Sequence, residues 1–352
     1  MNAILGDSVA SPAVWAITIV VTVGVLLVDL LVIARRPHEP TMPEVSRHLA
    51  FFVGMAVLFG VALLIFAQPH ELSPNPGAEF FAGWLTEYSL SVDNLFIFII
   101  IMNSFAVPRK YQQTALMIGI VLALIMRAIF IVIGAAAINE YSWVFYIFGL
   151  FLVYTAVKLA KEGGEDEDEY EENKLVKFAE SHLPATKEWN GTKLFSVENG
   201  KRVITPMFLV VLTLGTTDLL FALDSIPAIY GLTRDPYLVF TANIFALMGL
   251  RQLYFLIGGL LQRLIYLSYG LAFLLAFIGV KLILHAMHEN ELPFINGGEH
   301  IAWAPDIPIW LSLVVIIGTL AITAVASLVV SGRMSAAEQD AATGPRRDWE
   351  DG

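Results

Sequence analysis

Long apolar runs separated by short polar stretches recur along the chain, and their length decides what they form. Nine of them, at about 14–34, 48–67, 79–103, 114–137, 142–160, 203–231, 237–259, 264–286 and 308–331, approach the ~20 residues that a helix rising 1.5 Å per residue needs to cross a hydrocarbon layer roughly 30 Å thick. Their hydrophobic positions do not alternate as those of barrel strands do, so the backbone is expected to satisfy itself in lipid as helices. The predicted fold is all-α, a polytopic membrane protein of about nine transmembrane helices.

Composition agrees: 57% of the residues are hydrophobic and 15% charged, and mean hydropathy is +0.69, far from the values of a soluble domain. With no cysteine in the sequence, disulfides, thiolate metal sites and thiol nucleophiles drop out. The first stretch, MNAILGDSVASPAVW, has an aspartate and no basic cluster ahead of its apolar run, which predicts a retained helix rather than a cleaved signal peptide.

Lysine and arginine fix the expected orientation. They fall in the loop after the first run (Arg35, Arg36, Arg47), after the third (Arg109, Lys110), throughout the long loop after the fifth (Lys161 to Arg202), after the seventh (Arg263) and after the ninth (Arg333, Arg346, Arg347). The opposite loops hold only Arg234. The N-terminus is therefore expected outside and the C-terminus in the cytoplasm. Much of the net charge of -11 sits in EGGEDEDEYEEN, residues 162–173. That stretch reads as a solvated linker or as a weak gatherer of cytoplasmic cations, and it lacks calcium-loop spacing. The sign of the charge and the lack of a basic patch exclude nucleic acid as a partner.

Polar residues inside the runs reveal a repeat. EYSLSVDN (87–94) aligns with DLLFALDS (218–225), matching Glu87 to Asp218, Asp93 to Asp224 and Asn94 to Ser225. Further on, Arg127 falls against Arg251, Gly134 against Gly258, and Tyr146 with Val157-Lys158-Leu159 against Tyr269 with Val280-Lys281-Leu282. Helices three to five thus read as a copy of helices six to eight. Three crossings are an odd number, so the second copy is expected upside down: an inverted repeat, an architecture in which transporters place ion sites near the midplane where the copies meet. The expected divisions are 1–78, a two-helix region; 79–160, the first copy; 161–202, the acidic loop; 203–288, the second copy; and 289–352, an outer loop, the last helix and a tail.

A carboxylate at mid-membrane costs about 2.5–3.5 kcal/mol on insertion scales, so Glu87, Asp93, Asp218 and Asp224 need a compensating interaction. Pairing with Arg127 and Arg251 is one answer, purely architectural. Two arginines leave four carboxylates with two negative charges, which suits one divalent cation. Glu87, Ser91 and Asn94 share a helix face, and Asp93 points roughly 120° from Glu87. Either the helix unwinds to bring both acids to one ion, or each helix offers one acid to the ion and another to an arginine. In the second copy Pro227 and Gly215 supply the means of unwinding. The donors are carboxylate, amide and hydroxyl oxygens, which suit Mg2+, Ca2+ or Mn2+. His285 and His288 read as interfacial, and Asp29, near the end of the first helix, as a partner of Arg35 or Arg36 or as part of the site.

EYSLSVDN, TTDLLFALDSIPAIYGLTRDP and TANIFALMGLRQLYFL resemble the signature segments of the TerC family of integral membrane proteins, including its Alx-type members, and the resemblance covers roughly residues 14–331. The family takes its name from tellurium resistance. The resemblance implies manganese homeostasis, chiefly Mn2+ efflux across the bacterial cytoplasmic (inner) membrane, with metal held by Glu87, Asp93 and Asn94 in one copy and Asp218, Asp224 and Ser225 in the other. Asn243 and Arg251 fall on family-motif positions, and no resident cofactor is implied.

Moving a divalent ion out against an inside-negative potential costs about 4.6 kcal/mol per 100 mV, at roughly 2.3 per charge. The chain carries no phosphate-binding G-x-x-x-x-G-K-[ST] loop. Titratable carboxylates are then the coupling device, and the expected mechanism is cation/proton antiport, with Mn2+ as the ion and Ca2+ as its alternative. Two other classes compete. An intramembrane protease would need an aspartate dyad, but the chain has no G-x-G-D sequence, and no enzymatic activity is expected. A non-transporting protein that assists metal loading or assembly of envelope proteins would use the acidic loop and tail for contacts.

Overall fold

The computed structural model describes residues 8–35, 40–141, 143–162, 191–198, 201–257, 264–290, 295–301, 303–305 and 307–332, together with Thr186, Trp189 and Leu292. Among them are nine helices long and apolar enough to cross a membrane. They are α1 (Pro12–Arg35), α2 (Met42–Phe66), α3 (Pro76–Ser104), α4 (Arg109–Glu140), α5 (Val144–Glu162), α6 (Pro206–Tyr230), α7 (Pro236–Ile257), α8 (Leu267–His288) and α9 (Ile309–Ser331). Each overlaps one predicted run. Proline opens α1, α3, α6 and α7, where its missing N–H costs nothing and its fixed φ suits the first turn.

Burial separates the helices into layers. The span of α7 is almost wholly enclosed, wrapped by α2, α3 and α4, while α1, α2 and α9 expose most of theirs through residues such as Val20, Leu58 and Ile322. Such outward aliphatic surface belongs against lipid. The broadest contact joins α5 to α8, and it is made backbone to backbone: a Cβ on Gly149 would lie 2.7 Å from the Gly279 carbonyl oxygen, and one on Gly279 would lie 2.8 Å from that of Gly149. Small residues permit this approach between membrane helices, where dispersion rather than the hydrophobic effect holds them together.

Two features go beyond what the sequence decided. The helix carrying Asp218 and Asp224 does not unwind: α6 runs continuously from Pro206 to Tyr230 with Pro227 inside it. Pro227 lies in the last turn, where the backbone is about to leave the helix and one lost hydrogen bond is easily absorbed. The long loop also contains a two-stranded antiparallel hairpin, β1 (Phe195–Glu198) with β2 (Lys201–Ile204), in which Phe195 faces Ile204 and Val197 faces Arg202. Residues 163–173 of the acidic stretch lie outside the described residues.

Candidate functional site

Asp218 is the middle residue of α6, and the site is built around it. Arg127 reaches it from α4 with a two-pronged contact, Nε donating to Asp218 Oδ2 at 3.0 Å and Nη2 to Oδ1 at 3.2 Å, the fork geometry that makes arginine–carboxylate pairs specific. The third guanidinium nitrogen, Nη1, faces three oxygens from three helices. It pairs with Glu87 Oε1 on α3 and lies 2.9 Å from Asn243 Oδ1 on α7 and 3.2 Å from Ser225 Oγ on α6. The Asn243 amide is set by its own Nδ2, which donates to the Val239 carbonyl at 3.1 Å. Arg127, Glu87, Asp218, Asn243 and Ser225 are all fully or almost fully buried.

Hydrogen-bond capacity remains open at this point. Two carboxyl groups meet one guanidinium. Nη1 has two hydrogens for three oxygens. Glu87 Oε2 is buried with no hydrogen-bond partner among the described residues, although an unsatisfied buried carboxylate oxygen is costly. The shell around Nη1 is therefore an oxygen cage with more acceptors than its present occupant can serve.

The other predicted residues are placed elsewhere. Asp224, half-buried, turns toward α5, where Thr155 Oγ1 donates to its Oδ1 at 3.0 Å and Lys158, one turn further, adds a positive charge. The six residues separating it from Asp218 rotate it about 120° around the helix, so an unbroken α6 aims the two acids at different neighbours. Asn94 is buried on α3, and the side chain of Asp93 lies outside the described residues. Arg251 is not bound to Glu87, Asp218 or Asp224 among the described contacts. Its Nη2 pairs with Asp29 Oδ1 of α1 at 3.0 Å, so Asp29 has a partner on α7. Among the described residues no group of three or more His, Asp or Glu is arranged to hold a metal ion. His285 rests edge-on against Phe145 and contacts Arg234.

Sequence reasoning missed two partners. Thr155 carries no signal, because a threonine in a membrane helix commonly bonds its own backbone. The second is Asp235, wholly buried at the start of α7, which accepts from Tyr237 N at 2.8 Å and Ser8 Oγ at 2.9 Å, beside Glu79, which accepts from Thr233 Oγ1 at 2.6 Å. Here a signal exists, since Asp235-Pro236 is an N-cap followed by a first-turn proline. These contacts place the starts of α1, α3 and α7 on one face of the bundle.

Comparison with known proteins places these residues in a wider group. The model of the family described as "Integral membrane protein TerC family" matches residues 72–335, a stretch that includes every residue of the Arg127 cluster. An uncharacterized membrane protein of Mycobacterium tuberculosis is 48% identical over 321 residues, 90% of this chain and 79% of its own. An uncharacterized membrane protein of Myxococcus xanthus is 37% identical over 95% of this chain and 98% of its own. The protein Alx of Escherichia coli, provisionally named a membrane-bound redox modulator, is 34% identical over 93% of this chain and 98% of its own. No solved structure matches.

Proposed function

Because the chain belongs to the TerC family of integral membrane proteins, we propose that this multi-pass bacterial membrane protein exports divalent cations, Mn2+ first and Ca2+ as the alternative ion, in exchange for protons. The N-terminus faces outward in this reading. The observation that carries it is the cage around Arg127 Nη1: Glu87 Oε1, Asn243 Oδ1 and Ser225 Oγ surround one positive nitrogen, and Glu87 Oε2 stands beside them unpaired. Oxygen donors of carboxylate, amide and hydroxyl type are those that hard divalent cations take. An ion bound through these oxygens, at metal–oxygen distances of about 2.0–2.6 Å, takes the place of the guanidinium that they now share. Protons compete for the same carboxylates, which couples their movement to that of the ion. Transport makes and breaks no covalent bond, and the function is not enzymatic.

The pairing of helices supports an inverted repeat of residues 79–160 and 203–288. Exchanging α3, α4 and α5 for α6, α7 and α8 turns the α3–α7 contact into α6–α4, and maps α5–α8, α3–α6 and α4–α7 onto themselves; all five are present. Glu87 and Asp218, matched in sequence, meet at one guanidinium. Asp93, Asn94 and Asp224 then serve as further polar stations along the path. A thiol-based redox role has no residue to carry it, because the chain has no cysteine.

The test is Mn2+ efflux from proteoliposomes of purified protein under an imposed pH gradient at fixed membrane potential, with Ca2+ and Mg2+ as competitors. Gradient-driven Mn2+ flux is expected. Flux indifferent to the gradient removes the antiport, and no flux under any gradient or potential removes transport and leaves a role in metal loading or assembly of envelope proteins.

A further inference from the structure

One face of the hairpin in the long loop is only partly covered: Ile204, paired with Phe195 on that side, is buried, while Phe195 and Val197 stay exposed. Along β1 and the residues leading into it, exposure alternates: Lys193, Phe195 and Val197 are exposed, while Leu194 and Ser196 between them are half-buried, and Leu194 packs with Trp189 against the ends of α3 and α4. Period-two alternation puts Phe195 and Val197 on one side of the strand, and the exposed Lys193 precedes them across a bend at Leu194. Directly paired residues share a side, so the exposed Arg202, opposite Val197, joins them. The result is an apolar pair, 54% and 67% exposed, flanked by two cations.

The position of this face is fixed. Thr205, the N-cap of α6, donates from Oγ1 to the Lys193 carbonyl at 2.6 Å and from its backbone N to that of Leu194 at 3.2 Å. The Phe195 ring lies 5.3 Å from that of Phe208, and Phe208 begins a stripe along α6 (Phe208, Leu212, Thr216, Leu219, Leu223) whose members are half-buried or exposed and recur at helical spacing. The stripe packs beside Ile204 and Phe105 at its start and opens outward at Leu223, 41% exposed, and Phe195 joins its first turn. A helix of 25 residues is about 37 Å long, roughly 4 Å beyond a 30 Å hydrocarbon layer at each end, which sets the hairpin at headgroup depth.

We propose that the hairpin is a lipid-binding element: Phe195 and Val197 sink into the boundary between headgroups and acyl chains of the adjacent leaflet, and Lys193 and Arg202 bind anionic headgroup phosphates. Aromatic and aliphatic side chains flanked by cations are the pattern that seats amphipathic elements on anionic bilayers. The connection between the two halves of the chain is thereby fastened to the membrane beside the first turn of α6, independently of what the protein transports.

The chain has no cysteine, so a single Val197→Cys substitution at an exposed position accepts a nitroxide label selectively. The labelled protein is placed in nanodiscs of phosphatidylcholine alone and with phosphatidylglycerol, and collisions of the label with dioxygen and with a water-soluble nickel complex are compared. A several-fold excess of dioxygen collisions is expected, growing with phosphatidylglycerol and losing that dependence when Lys193→Gln and Arg202→Gln are added. A label as open to the nickel complex as a free nitroxide in water overturns the proposal and leaves the face for a soluble protein. Burial indifferent to phosphatidylglycerol overturns the phosphate contacts. A Ser196→Cys label, on the protein side of the same strand, checks that the hairpin is folded in each sample.

Discussion

Arg251 on α7 is bound to Asp29 on α1 at 3.0 Å, although Arg127, which falls against it in the sequence alignment, is bound to Glu87 and Asp218. Asp29 thus gives Arg251 a partner on a helix outside the Arg127 cluster. The Gln252 amide oxygen, in the orientation that satisfies both ends of the amide, takes a further bond from Arg251 Nη2 at 2.6 Å.

Removing Asp29 alone strands a guanidinium in the bundle. Asp29→Asn is expected to destabilise the protein by about 3 kcal/mol, the low end for a broken buried pair because the carboxylate keeps some exposure. The double replacement Asp29→Leu with Arg251→Met is expected to recover most of that loss. Thermal unfolding in detergent, followed by circular dichroism, reads both.

Arg127→Gln removes the resident cation and keeps a hydrogen-bonding group. If the guanidinium competes with metal for the cage, this variant binds Mn2+ at least tenfold more tightly, about 1.4 kcal/mol, and releases it more slowly, so that flux falls. Calorimetric binding beside liposome flux separates this from collapse of the site, in which both quantities fall together.

Glu87→Gln and Asp218→Asn each remove a carboxylate from the cluster, and Mn2+ flux is expected to fall by tenfold or more in either. Asp224→Asn, whose side chain bonds Thr155 instead, is expected to cost less flux and to leave Mn2+ affinity within a few-fold of wild type. Equal loss of affinity in all three variants contradicts the separation of the two acids seen on the unbroken α6.

Gly279→Val introduces atoms where a Cβ already lies 2.8 Å from the Gly149 carbonyl and 2.9 Å from Val153. Backbone cannot step aside as a side chain can, so a loss of about 1–3 kcal/mol is expected from overpacking. At Gly318, where an added Cβ meets nothing within 4 Å, Gly→Ala is expected to be neutral or slightly stabilising. Unfolding midpoints of the two variants make the comparison.

The transmembrane helices were legible because a long apolar run in lipid has few alternatives to a helix, and every run became one. The meeting of Glu87 with Asp218 was legible in outline, since matched positions of two copies converge if the copies face each other. The partner of Arg251 was not, because Asp29 lies on a helix outside the repeat and local pattern does not encode which helices touch. The hairpin had a signal in Asn199-Gly200 between two short β-prone stretches, and the acidic run ahead of it drew the reading toward a featureless linker. Of the two alternatives open at Pro227, α6 takes the unbroken one, because position within the helix matters as much as the residue.

The glycine contact between α5 and α8 bears on how the protein is made. The ribosome delivers α5 well before α8, with α6 and α7 threaded between them. Until the last of these arrives, the groove at Gly149 has no helix backbone to receive, and this backbone-to-backbone seam stays unmade. Assembly therefore closes late. A nascent chain halted before Leu267 carries both acids and Arg127 yet lacks the element that locks its fifth helix in place.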